Sequence, residues 1–463
     1  MAEISTIRTY LEKYLQDNRL TINQFSQRSK INTGTLSSIL NGIRPIGMEQ
    51  LDRITVAMEL PAGSLYPLYI QEYLYSAPLN WRRLGPFLQR CSELNYTALI
   101  EQALPFILDK LTYIPMLFEL TEELYHAERF DAARLIYQSI ADSEKLQHSE
   151  RLALCQYRLF CLSLSDNQDD NLLACIQFEP YLERLEERYQ LSAFNELINA
   201  NGALQRWDKV AQLAEKLKTK AIIQYDHYRK TGKALSQDSR KPVLFYIFYA
   251  YLCLGNVYFE RQDFEMSLYY VALYADDSWV QNPTEEEQQV ICKFKEWAVG
   301  NRYMHKLLAG HIEVLDDYVD YISSRENEVF PALCEIVLAA NRHGFEIDSI
   351  LVRFSGYLDY KEQVGLYGNI NNQVTLNRYT RLAAELAIYY FSKNNYVSGL
   401  NYLLYSLEIS SQINSERGII RCVSLYEQYR EYVSAELLVK YKILMSEVHK
   451  SNEKKIGYST VYC

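Results

Sequence analysis

Between Thr33 and Asn41 the chain carries Thr33, Gly34, Thr35, Ser37, Ser38 and Asn41, all short and mostly hydrogen-bonding. Leu36, Ile39 and Leu40 interleave with them at i, i+3, i+4 spacing, so a helix here buries one side and keeps the small polar groups on the other. A flat face of that kind can lie in a major groove and reach base edges. The chemistry requires a short helix held at a fixed angle by a neighbour. Thr21 is suited to cap such a neighbour, its hydroxyl accepting an orphan amide proton, with Ile22, Phe25 and Ser26 on the packing face and an end near Ser29. Asn41-Gly42 closes the second helix as a left-handed cap would, and Arg44-Pro45 follows. A further amphipathic helix is expected within Ile43 to Leu60, where Met48, Leu51, Ile54 and Met58 point one way.

A second constellation comes from repeated helical pairs. The clearest unit runs Leu254-Gly255-Asn256-Val257-Tyr258, then Asp263-Phe264, Ser267 and Tyr270. It reads as a first helix, a turn aromatic six residues after Tyr258, and a second helix with a small residue at the close crossing. Looser units centre on Phe130, Trp207, Ile312, Phe345 and Tyr396, with room for one more pair around 152–164 and 172–188. Pairs of this kind fill residues 81–450, and since none can bury its faces alone they are expected to stack with a concave wall lined by first helices. Aligned on the turn aromatic, Asn199 and Asn256 share the position eight before it, while Asn201 and Tyr258 share the position six before it. An amide side chain offers donors and an acceptor, so such residues can hold an extended peptide by its main chain. Equally, they can satisfy local backbone groups or face water.

Composition narrows the classes. The chain has 463 residues, 48% of them hydrophobic, with only 17 Gly and 11 Pro, which suits a helical protein of at least two domains. Net charge is −10, but residues 1–70 hold seven Lys/Arg against six Asp/Glu, while the rest is strongly acidic. Contact with a polyanion is therefore expected to be confined to the N-terminal segment. Nine single Cys without a CxxC pair read as reduced core thiols. The first residues form a charged amphipathic helix rather than a signal peptide, and the apolar run Val243 to Phe259, interrupted by Gly255-Asn256, is a poor membrane span. A cytoplasmic protein without a membrane partner is expected. There is no P-loop, GxSxG or HExxH pattern. His305 and His311 are badly spaced for a metal, and the acidic runs 183–187 and 285–287 read as solvated helix faces, so neither enzyme activity nor a cofactor is expected.

Thr21, Phe25-Ser26, Leu36, Ile39-Leu40-Asn41-Gly42 and the later Leu51, Ile54, Leu60-Pro61 together resemble the phage-repressor (Cro-like, or XRE) helix-turn-helix over roughly residues 4–66. That resemblance implies base reading by Thr33, Gly34 and Ser38, and phosphate contacts by Arg28, Lys30 and Arg44. No Gln or Arg stands at the reading positions, which implies modest sequence preference or reading of DNA shape. The 254–270 unit is similar to a tetratricopeptide repeat. The combination resembles the peptide-responsive quorum-sensing regulators of Gram-positive bacteria, the Rap, Rgg, NprR, PlcR and PrgX family with the phage arbitrium receptor as a relative. It implies an all-α homodimer: a DNA-binding domain at 1–69, a linker at 70–80, a right-handed tetratricopeptide-like superhelix at 81–450 and a mobile tail at 451–463. By the same resemblance Asn199 and Asn256, with Asn201 and Tyr258, would contact a short signalling peptide that changes binding to paired DNA half-sites. Two other classes stay open: an adaptor that binds a response regulator, and a constitutive dimeric repressor with no peptide ligand.

Overall fold

The computed structural model describes residues 6–72, 80–144, 149–232, 241–359, 364–365, 368–369 and 372–457. Among them helix is nearly the whole of the secondary structure, accompanied by one antiparallel pair of two-residue strands, Val364–Gly365 and Gly368–Asn369. One kind of stop recurs at the helix ends. At Gln205, Gln205 N donates to Gly202 O (2.9 Å) and Arg206 N to Asn201 O (2.9 Å), the paired bonds of a Schellman cap. The same pair of bonds is made at Glu128, Gln262, Gly310, Asn394 and Asn414. All but Gly310 are non-glycine residues held at positive φ. Each lies two residues before the start of the next helical segment, so the chain folds back after one non-helical residue. Of the turn residues of the sequence, Phe130, Trp207, Phe264 and Tyr396 are each the first residue of their helix and Ile312 opens the 3-10 turn Ile312–Val314, whereas Phe345 lies three residues ahead of α19. Scarce glycine therefore conceals these turns, because Gln, Glu and Asn occupy the left-handed position.

Contacts divide the chain into two compact units, Met1–Leu162 and Ser163–Cys463. The first contains α1 (Ile7–Asp17), α2 (Ile22–Ser29), α3 (Thr33–Leu40), α4 (Met48–Ala57), α5 (Tyr66–Ile70), α6 (Trp81–Glu93), α7 (Thr97–Leu108), α8 (Ile114–His126), α9 (Phe130–Glu144) and nearly all of α10 (Glu150–Ser163). Helices α1 to α4 share a core of Ile7, Leu11, Phe25, Leu36, Ile39, Leu51 and Ile54. The expected linker at 70–80 begins as helix: Tyr66 and Tyr69 are buried, and both rings pack on Phe87 of α6. Residues 73–79 lie outside the described residues. Asp52 of α4 accepts from the Tyr66 hydroxyl (2.6 Å) and from Arg90 of α6 (2.8 Å), and Tyr96 donates to Ala62 O (3.1 Å). The turn-linked pair is thus tied by α4 and α5 to the first helices of the body within one unit. The further pair expected around 152–164 and 172–188 corresponds to α10 and the helix after it, which fall in different units.

The second unit holds α11 (Gln168–Phe178), α12 (Glu187–Ala203), α13 (Trp207–Thr231), α14 (Val243–Glu260), α15 (Phe264–Ala275), α16 (Glu285–Leu308), α17 (Leu315–Ser323), α18 (Glu326–His343), α19 (Asp348–Arg353), α20 (Asn372–Ser392), α21 (Tyr396–Gln412), α22 (Glu416–Gln428) and α23 (Ala435–Gly457). α12 pairs with α13, α14 with α15, α16 with α17 and α20 with α21, and the first helices also touch one another: α14 with α16, α16 with α18, α18 with α20 and α20 with α22. Hairpin α14–α15 crosses closely at Gly255, where an added Cβ would lie 3.3 Å from that of Tyr270, and the buried Ser267 hydroxyl donates to Gly255 O (2.7 Å).

Several local expectations are refined. α14 is a continuous helix through Gly255-Asn256, long and apolar enough by composition to cross a membrane, but most of it is buried within the protein. The basic stretch from Lys218 to Thr231 is part of α13, and 233–240 lie outside the described residues. The expected tail begins as the last turns of α23, to Gly457. Glu287 does not face water: it is buried and forms a capping box with Thr284. Of the described thiols, Cys91, Cys155, Cys175, Cys253, Cys334 and Cys422 are buried and Cys292 is exposed.

Candidate functional site

Helix α2 starts on a capping box in which Thr21 Oγ1 accepts from Gln24 N (3.3 Å) and Gln24 Oε1 from Thr21 N (2.9 Å). It ends at Lys30, held left-handed at φ 53°. Ser26 donates to Ile31 O (2.6 Å), which closes the turn, and Asn32 Oδ1 caps α3 by accepting from Gly34 N (2.9 Å). α3 then stops on Gly42 at φ 73°, with Gly42 N donating to Ile39 O and Ile43 N to Ser38 O. A side chain there would meet the Arg8 guanidinium of α1, 2.5 Å from the added Cβ, so glycine both permits the turn and admits Arg8.

This frame buries Leu36 and Ile39 and leaves the opposite side open: Gly34 and Asn41 are exposed, while Thr33, Thr35, Ser37 and Ser38 are half-buried. Two of the hydroxyls are engaged within the helix, Ser38 donating to Gly34 O (2.8 Å) and Ser37 accepting from Asn41 Nδ2 (3.3 Å). Both retain acceptor capacity, and Asn41 keeps its carbonyl oxygen. Arg28, Lys30 and Arg44 are exposed and make no ion pair among the described residues. Arg53 is different: it pairs with Glu49 and donates to Lys30 O (3.0 Å), bracing the turn. Arg8, which the sequence reading did not single out, is a further exposed cation against the end of α3.

The second candidate lies on the first helices of the second unit. Asn199 is half-buried and accepts from the Tyr249 hydroxyl of α14. Asn256 is half-buried and makes no hydrogen bond among the described residues. Asn201 does not belong with them. It is fully buried, donating to Leu197 O (2.8 Å) and accepting from Arg206 (3.0 Å), so its amide serves the α12–α13 turn. Tyr258 likewise turns inward, stacked on Tyr270 of its own hairpin at 5.5 Å. The reason is rotation: residues two apart on a helix point about 200° apart, so positions eight and six before the turn cannot share a wall.

Charged residues absent from the sequence reading dominate this region. Arg381 of α20 donates to Glu260 of α14 (3.1 Å) and lies 3.7 Å from Glu335 of α18. Burial opposes the Arg381 charge, but Glu335 and Glu260 outweigh it and hold its pKa above the ordinary value. Burial raises the pKa of Glu335, whose side chain is 13% exposed, although Arg381 counteracts this. One Glu335 oxygen, Oε2, has no partner. Glu385 joins Arg421 (2.7 Å) and Asn341 (2.8 Å), and burial raises Glu328 as well. These residues lie far apart in the chain, so no spacing pattern could have grouped them. His305 is structural: it packs on Phe259, bonds Ser267 at 3.0 Å, and is pushed down to about 4 by burial. Among the described residues no cluster of His, Cys, Asp and Glu could hold a metal ion. No protein-family model matches this chain, and no curated protein is significantly similar to it in sequence.

Proposed function

We propose that the chain is a cytoplasmic DNA-binding transcriptional regulator controlled by a short peptide. The observation that carries the DNA half is the face of α3: small hydrogen-bonding groups held on a doubly capped helix, flanked by Arg28, Lys30 and Arg44, which are exposed and unpaired among the described residues. Short side chains let a helix approach base edges closely, and unpaired cations can neutralise phosphates without breaking an existing ion pair. As a homodimer the protein would present two such helices to half-sites about 34 Å apart. The fold that would support this is a helix-turn-helix over α2–α3 followed by tetratricopeptide-like pairs. First helices in mutual contact belong to the inner, tighter side of a curved stack, which makes Asn199 and Asn256 the residues for a peptide main chain.

The ligand would act by binding one arrangement of the protein better than another, since only differential affinity shifts such a balance. The test is the melting temperature of the full chain with synthetic C-terminal fragments of small secreted reading frames beside its gene. A ligand at a hundredfold excess over its dissociation constant stabilises by about 2.7 kcal/mol. A shift with one fragment, lost in Asn256→Ala, is the expected result. If no fragment shifts the transition while DNA binding is intact, the peptide half of the proposal fails and a constitutive repressor takes its place.

A further inference from the structure

In a stacked array of helical hairpins each pair touches only its neighbours. The second unit breaks that rule, because α20 and the helices after it return to α11 and α12. Asn377 of α20 is at the centre: its amide donates to Ala203 O at the end of α12 (2.7 Å) and accepts from Gln168 of α11 (2.8 Å). The Gln168 backbone N donates to Ile413 O after α21 (3.1 Å), and Arg417 of α22 donates to Gln205 Oε1 (2.8 Å). One turn along α20 from Asn377, Arg381 makes its own long-range bond to Glu260.

We infer that these contacts form a latch that closes the second unit into a ring, and that the ring opens at this seam. The seam differs in kind from the joints on either side of it. Helix α20 is held to α18 by apolar packing in addition to the Asn341 and Glu335 contacts, with the Phe330 and Tyr379 rings stacked at 3.9 Å, and the apolar cluster around α16, α18 and α20 draws no residue from α11 or α12 among the described residues. At the seam the named bonds are amide, guanidinium and main-chain contacts, groups that water replaces at small net cost. A closed ring is therefore weakest here, and opening leaves both flanking helix stacks whole. An extended peptide carries the same donors and acceptors as Asn377, Gln168 and Ala203 O. Resting on the reading of this unit as a peptide receptor, the latch is the point that such a ligand must pass or displace to reach the first helices.

The test uses the full chain with Cys161, Cys292 and Cys463 replaced by serine and spin labels at Gln212 and Ile420, one on each side of the seam. The unaltered latch should give one narrow distance. Asn377→Ala with Arg417→Ala should add a second, longer population with helicity unchanged. A single narrow distance in that variant would overturn the latch, and so would loss of helicity, which would make the seam part of the folding core. For a peptide that shifts the melting transition, the association rate should rise at least threefold in the variant. An unchanged rate would refute gating and leave the receptor reading intact. A peptide library that binds neither protein would refute the receptor reading and leave the distance result standing.

Discussion

The face of α3 and the first helices of the second unit treat polar groups in opposite ways. On α3 the hydrogen-bonding groups are small and the neighbouring Arg28, Lys30 and Arg44 stand exposed and without ion pairs among the described residues. In the second unit Arg381 is shared between Glu260 and Glu335, Glu385 is taken by Arg421 and Asn341, and Asn199 is taken by Tyr249. An exposed, unpaired cation pays little desolvation on meeting a phosphate. A half-buried network must exchange partners, so any ligand there competes with bonds already made. The first arrangement suits a polyanion met from solvent, and the second suits a switch.

The largest effect should come from placing charge on the open face. Thr33→Glu with Ser38→Glu puts two carboxylates where DNA phosphates and base acceptors would lie, and should abolish DNA binding in a mobility-shift assay. Helicity and peptide response should be retained, since neither side chain is in the core. Next is Arg381→Ala, which strands Glu335 and Glu260. Breaking a buried pair typically costs ~3–5 kcal/mol, and the partial exposure of Glu260 reduces that to about 2–3 kcal/mol in denaturant unfolding. Adding Glu335→Gln to Arg381→Ala should restore part of the loss, which would make the network, rather than lost packing, the cause.

Glu335 also gives a pH test. Burial raises its folded pKa above the ordinary carboxylate value of 4.5. The folded state therefore binds its proton more tightly than the unfolded state, and its contribution falls as pH rises from that ordinary value through the raised one. This is opposite to the slope of a carboxylate stabilised by pairing. Glu335→Gln should flatten the fall and raise the melting temperature at neutral pH, and an unchanged pH profile would show that Arg381 already compensates the burial. The smallest effect is local. Gln262 sits at φ 63° at the end of α14, so Gln262→Gly should stabilise the hairpin by ~0.5–1 kcal/mol, read as a shift in unfolding midpoint.

Local features were legible in the sequence. The cap at Thr21, the stop at Asn41-Gly42 and the buried faces of α3 and α4 each follow from residues within one helix turn of one another. The turn aromatics likewise placed the starts of α9, α13, α15 and α21. What spacing could not supply was orientation and long-range pairing. Alignment on the turn aromatic sets Asn199 beside Asn256 and Asn201 beside Tyr258 because it fixes register, whereas the 100° step of the helix decides which side faces the hairpin. Arg381 with Glu260, and Asn377 with Gln168, join positions 121 and 209 residues apart. No periodic pattern marks such pairs, because they depend on how far successive hairpins rotate.

The central claim is that α3 meets DNA, and the most direct measurement is fluorescence anisotropy of a labelled pool of genomic duplex fragments against salt. Binding at low salt should weaken with a logarithmic slope of about −3 per protomer if Arg28, Lys30 and Arg44 each neutralise one phosphate. Thr33→Glu with Ser38→Glu should remove the binding. Binding that survives those substitutions, or no binding at any salt concentration, would contradict it.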